Sequence, residues 1–214
     1  MARRYRQIGI LMILVMIAVS ACGAGAETLE AWTHEAGWIP FTLAVQQEEL
    51  EATWEEAAKG FGELTGMQLD GPTLKSMTLQ GYGYMPQMDH MDIDGSKITM
   101  TNKDGKVMFV HEYNWVETVE DVIETPVYIF KTEDADAAEY TYLCLTTPQV
   151  METEAGKYLT FNLFNAKKNY RATFDIHAGA NVEIPCSMIQ ADTGTEVLAQ
   201  EVMNLFASST AIFH

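Results

Sequence analysis

The sequence predicts a mainly β domain with flanking helices, built as an antiparallel barrel or sandwich. Two Asp-Gly pairs, Asp94-Gly95 and Asp104-Gly105, stand between short apolar or alternating runs, the mark of consecutive tight hairpins. From Tyr82 onward such runs recur at short intervals: "DHMDI", "KITMTN", "KVMFVHEY", "PVYIFKT", "EYTYLCLTT", "KYLTFNLFN" and "RATFDIH". Strands at that spacing fit a closed or two-layered antiparallel architecture. Helical periodicity flanks them, with one clear segment before the strands and one after.

The first element is not part of the fold. Arg3, Arg4 and Arg6 precede an apolar run from Ile8 to Val19 and then small residues. That order is a secretory signal, and the run is short for a membrane span of roughly 20 residues. Its end, "VSAC" at Val19 to Cys22, is similar to the lipobox of bacterial lipoproteins, in which the cysteine becomes a lipidated N-terminus. Each buried methylene of such a lipid contributes about 0.8 kcal/mol to anchoring. The expected organisation is a signal peptide over 1–21, a tether over 22–28 anchored at Cys22, and one domain over 29–214. Gly23, rather than Asp, follows the cysteine, which disfavours inner-membrane retention. The expected location is the periplasmic face or cell surface of a bacterium.

Removing residues 1–21 takes away three arginines and no acids, leaving 10 basic against 30 acidic residues and a net charge near −20. Such a chain repels nucleic acid and anionic headgroups, so the membrane enters only through the anchor. Acidity suits cations, but it also serves solubility. About 190 residues, nearly half of them apolar, bury one substantial core.

The helical segment Gln46 to Leu64 carries Leu50, Trp54, Ala57, Ala58 and Phe61 at spacings of three and four, with a stop near Gly62 or Gly66. The closing segment "TEVLAQEVMNLFASS" carries a stripe of Leu198, Val202, Leu205 and Phe206. No internal repeat or low-complexity tract divides the chain. With Cys22 lipidated, Cys144 and Cys186 remain in an oxidising compartment, either as a disulfide or as two buried thiols.

Chemistry-bearing motifs are few. Met85, Met88, His90 and Met91 cluster in a way that suits a soft ion, although methionine is also a general core filler. "DIDG" fails as a calcium loop, because His90 would stand first and Thr101 twelfth. No GxSxG, HExxH, P-loop or dinucleotide fingerprint occurs, so an enzyme is not expected. In "YRATFDIHAG", Thr173, Asp175 and His177 share one strand face. That face is either a ligand pair or simply wet.

Taken together, several segments resemble the ZinT family of extracytoplasmic zinc-binding proteins, whose domain also forms the C-terminal part of AdcA-type zinc-binding lipoproteins. The opening "LEAWTHEAGWIPFTLA" with "ELEATWEEAAK", then "LKSMTLQGYGYMPQMDHMDIDG", "KYLTFNLF" and "TFDIHAG", follow the family's order from about Leu29 to Phe206. The resemblance implies a calycin or lipocalin-like antiparallel β-barrel with helices at one side and a zinc site at its mouth. The family's three histidine ligands fall here on Phe164, Thr173 and Asp175. Only Asp175 keeps a useful donor. His177 is a displaced substitute, and His90 or His34 would complete a set.

The leading expectation is therefore a lipid-anchored protein that binds a divalent metal, zinc first, and passes it to a metal ABC transporter. The alternative is a barrel that has lost metal and holds an apolar or peptide ligand, supported by Phe164 at a former ligand position with Tyr158, Phe161 and Tyr170 nearby in sequence, or that serves as a surface interaction module.

Overall fold

The structure is a computed structural model, and it describes residues 27–83, 88–120, 125–166 and 185–210. Its strands are β1 (Trp38–Pro40), β2 (His90–Asp94), β3 (Lys97–Thr101), β4 (Val107–Glu112), β5 (Asn114–Val119), β6 (Val127–Lys131), β7 (Tyr142–Thr146), β8 (Gln149–Thr153), β9 (Gly156–Ala166) and β10 (Cys186–Gln190). They run in the order β4-β3-β2-β1-β10-β9-β7-β6-β5, with β8 added beside β9. Every pairing is antiparallel.

The two ends of that order, β4 and β5, are neighbours in sequence, separated by Tyr113 alone. One bent strand therefore pairs with β3 through its first half and with β6 through its second. This bend turns a long sheet into a nearly closed barrel, which limits exposed strand edges. The Tyr113 amide, at the bend, donates to Ser96 O at 2.8 Å.

The turns follow from local chemistry. Asp94 pairs with Lys97 across a two-residue link in which Gly95 has φ +60°, and Gly105, with φ +72°, closes the β3–β4 turn. In the latter turn Asn102 Oδ1 accepts the amides of Asp104 and Lys106, each at 3.0 Å.

Among the described residues the α-helices are α1 (Phe41–Ala44), α2 (Glu51–Thr65), α3 (Gly71–Leu79) and α4 (Thr195–Thr210). A 3₁₀ turn at Glu48–Leu50 precedes α2, so the regular helix starts later than the periodicity suggests. Gly66, in the left-handed region, stops it by donating to Gly62 O at 2.8 Å. Asp70 caps α3 by accepting the Thr73 amide at 2.8 Å, with Pro72 in the first turn.

Three apolar clusters result. The barrel interior holds Trp32, Trp38, Met88, Met91, Ile98, Phe130, Phe161 and Leu163 among others. A second cluster joins the helices to the barrel wall through Leu50, Trp54, Leu74, Tyr158, Ile189 and Val202. A third, on the outer face of β6, β7 and β9, contains Val127, Ile129, Cys144 and Phe164.

Cys144 and Cys186 do not form a disulfide; both are buried thiols. Cys144 registers with Phe164 and Cys186 with Leu163, adjacent residues of β9 whose side chains point to opposite faces. The sheet stands between the two sulfurs, so the bridged alternative is ruled out by strand parity.

Glu201 on α4 sits in the helix layer beside Tyr158 and Asn204. Burial raises its carboxyl above the usual range, opposed in part by hydrogen bonds donated by Tyr158 and Asn204. The same burial, with Glu201 close by, pushes Tyr82 up to about 12 and Tyr158 up as well. A raised folded-state pKa means the protonated carboxyl suits the fold. Its stabilising contribution is complete below the unfolded value of about 4.3 and is lost as pH rises through the raised value. Glu201→Gln is expected to raise the thermal midpoint at pH 7 by roughly a few degrees, and the difference should close as the pH falls to about 4. Thermal unfolding followed by circular dichroism at both pH values checks this.

Candidate functional site

Alternation along β2 sends Met91 and Ile93 into the barrel and leaves His90, Asp92 and Asp94 on the outer face. His90 Nε2 lies 3.0 Å from Asp92 Oδ1, as expected for side chains two apart on one strand. Both remain in contact with water, at 30% and 54% side-chain exposure. The space they occupy exists because residue 37 is glycine. A Cβ at Gly37 would fall 2.4 Å from His90 Nε2 and 2.7 Å from Asp92 Oδ1.

Gly37 also connects this pair to His34. Its amide donates to His34 O at 3.0 Å, and its carbonyl accepts the Ala191 amide at 3.0 Å. The His34 Nδ1 accepts the Ala36 amide at 3.3 Å, and its ring tilts against Trp38 with centroids 5.8 Å apart. Gly37 thus touches His90 through its Cα face and His34 through the backbone, while the His34 ring packs on the inward-facing Trp38.

The other expected site residues divide differently. Asp175, His177 and Cys22 lie outside the described residues. Among the described residues no three His, Cys, Asp or Glu side chains converge as a metal cage. Met88 and Met91 are core residues while His90 faces outward, so they do not form a soft-metal cluster; Met85 is outside the described residues. The aromatic residues near Phe164 in sequence are dispersed by the fold. Phe161 points into the barrel, Tyr158 lies under the helices, and Phe164 belongs to the outer cluster. Residues 158, 161 and 164 cannot share one face of a strand with period two.

A second histidine–carboxylate pair has no sequence signal. His111 on β4 is 5% exposed, and its Nδ1 lies 2.8 Å from Asp134 Oδ2. Its ring stacks on Phe109 with centroids 4.8 Å apart and meets Tyr113 edge-on. Asp134 is itself held, because its amide donates to Thr132 Oγ1 at 3.2 Å. The Tyr113 hydroxyl donates to Tyr140 O at 2.6 Å, and burial, with Asp134 next in effect, keeps that phenol protonated. In the connection that carries these groups Ala138 has φ +50°, an unfavourable conformation for a residue with a Cβ. An ionised carboxylate only accepts, so His111 Nδ1 is the donor of this pair. Phe109, His111 and Tyr113 alternate on one strand face, but 23 residues separate His111 from Asp134, and that separation hides the pair.

No protein-family model matches the sequence, and no curated protein does. Solved structures do match. The Zn(II)-bound ZinT-like domain of Streptococcus pneumoniae AdcA is similar over 82% of this chain and 89% of that domain, with a TM-score of 0.52 and 16% identity. Zn(II)-bound AdcA from Streptococcus pneumoniae is similar over 82% of this chain but 35% of its own length, with a TM-score of 0.53 and 14% identity. The chain spans about a third of the whole AdcA. At these identities the likeness shows the fold: the barrel with side helices is of the ZinT-like kind.

Gly37→Ala is expected to push His90 and Asp92 apart and to force a side chain into a left-handed backbone. The cost should be ~1–3 kcal/mol in urea unfolding, with displaced His90 ring signals in NMR spectra. Unchanged stability and unchanged ring signals would contradict this arrangement.

Proposed function

We propose that this chain is an extracytoplasmic, lipid-anchored protein that binds a divalent metal, zinc first, as cargo for an uptake system. The observation that carries the reading is the match of the fold to a Zn(II)-bound ZinT-like domain over 82% of the chain. The chain's excess of 30 acidic over 13 basic residues is consistent with a cation as cargo.

The donors proposed are Asp175 and His177, with His90 or His34 completing the set. Imidazole and carboxylate are suitable zinc ligands. His90 has a carboxylate within hydrogen-bond distance, as ligand histidines commonly do. The described residues fit in kind, offering the imidazoles of His34 and His90, but do not by themselves make a closed shell. Anchoring at Cys22 and delivery to a metal ABC transporter are parts of the same proposal. The alternative of an apolar ligand inside the barrel is less well supported, because Trp32, Trp38, Phe130 and Phe161 occupy the interior.

Isothermal calorimetry with zinc chloride on the chain from Gly23 onward tests the reading. One site of micromolar or tighter affinity is expected, about tenfold weaker in His90→Ala and absent in Asp175→Ala/His177→Ala. No heat of binding from the unaltered chain would remove the metal reading.

A further inference from the structure

His90 and His34 are alternatives for the remaining donor of the metal set, and the hydrogen bonds around each ring separate them. A histidine ligates a metal through a ring nitrogen with a lone pair to give, and the partner of the other nitrogen decides which one that is. His90 Nε2 lies 3.0 Å from Asp92 Oδ1. An ionised carboxylate only accepts, so Nε2 carries the ring proton and Nδ1 the lone pair. The Nε2–Cε1 edge of the ring is seated against Gly37, where a Cβ would fall 2.4 Å from Nε2 and 2.9 Å from Cε1. Asp92 and Gly37 therefore fix the ring from two sides. With 30% of its side chain exposed, His90 stays within reach of a dissolved ion.

His34 is committed differently. Its Nδ1 accepts the Ala36 amide at 3.3 Å, so that lone pair is engaged and the proton of the neutral ring sits on Nε2. Ligation through either nitrogen would cost the bond to Ala36, because binding at Nε2 moves the proton onto Nδ1. His111 donates Nδ1–H to Asp134, which leaves Nε2 with a lone pair. Its side chain is only 5% exposed, however, and the ring stacks on Phe109 and meets Tyr113 edge-on. Of the described histidines, His90 alone joins a carboxylate-fixed tautomer to an accessible ring.

We infer that His90 ligates the metal through Nδ1, and that Asp92 is its positioning residue, holding the ring proton on Nε2. The inference rests on the metal reading of the chain and narrows it, since His34 is then not a ligand. A carboxylate behind a ligand histidine also raises the basicity of the ligating nitrogen, so Asp92 strengthens the bond as well as aiming it.

The test is long-range proton–nitrogen NMR of the histidine rings, recorded with the imidazoles neutral, before and after addition of zinc chloride. Without metal, His90 is expected as the Nε2–H tautomer and His111 as the Nδ1–H tautomer. With zinc, the His90 Nδ1 signal should move while its Nε2 keeps the proton, and the His34 and His111 nitrogens should stay in place. Asp92→Ala should weaken zinc binding about tenfold and leave His90 as a mixture of tautomers. Asp92→Asn, which keeps an accepting oxygen, should restore the single tautomer and part of the affinity. A merely structural aspartate would not move the tautomer. The absence of any zinc-dependent shift overturns the metal reading and the assignment with it. Zinc binding that leaves His90 unmoved, acts at its Nε2, or shifts the His34 nitrogens overturns the assignment alone, as does unchanged affinity in Asp92→Ala.

Discussion

The interior of this barrel is organised by a chain of contacts that begins at Trp32. Its indole N–H donates to Thr146 O at 2.8 Å, and its ring stands edge-on to Tyr128 and Phe130, with centroids 5.4 and 5.5 Å away. Its own carbonyl accepts the indole N–H of Trp38 at 2.7 Å, and Trp38 meets Phe161 edge-on at 4.7 Å. Two tryptophans near the start of the domain thereby reach β6, β7 and β9. Buried indoles require a hydrogen-bond acceptor, and both find one on the backbone. Thr146 extends the link, because its hydroxyl accepts the Asn162 amide at 2.9 Å where β9 changes partner from β8 to β7.

This plug has functional consequences. A barrel filled by its own N-terminal segment offers the described interior as core, not as a ligand chamber. Chemistry is displaced to the outside and to the rim. His90 and Asp92 lie on the outer face of β2, where Gly37 makes room for them, and His111 with Asp134 lies where the bent strand closes the barrel. The fold is similar to that of a Zn(II)-bound domain, while these described histidines and carboxylates are arranged in pairs.

Much of the architecture could be read from residues whose constraints are local. Asp94-Gly95 and Asp104-Gly105 form turns with positive φ at the glycines, and the stripes through Trp54 and through Val202 pack as helices. The elements that escaped reading were those set by tertiary contact. β1 is three residues long, β5 has no fully buried residue, and β8 lies off the main strand order beside β9. The joining of β4 to β5 had no turn signal because there is no turn, only Tyr113 at a bend. His90 with Asp92 was legible from a spacing of two, whereas the role of Gly37 beneath them and the pairing of His111 with Asp134 depend on long-range register. Phe164 shows the converse: its place in the strand was legible, but only the sheet's outer cluster reveals which way it points.

The central claim, that Trp32 and Trp38 fill and fasten the barrel, is tested most directly by hydrogen exchange of the four indole N–H groups observed separately by NMR. Trp115 provides the internal control, being 36% exposed, with its indole N–H donating to Thr118 Oγ1 at 3.3 Å. The indole protons of Trp32 and Trp38 are expected to exchange only with global unfolding, orders of magnitude more slowly than that of Trp115. Exchange of Trp32 at a rate close to that of Trp115 would contradict it, because the plug would then open without the barrel coming apart.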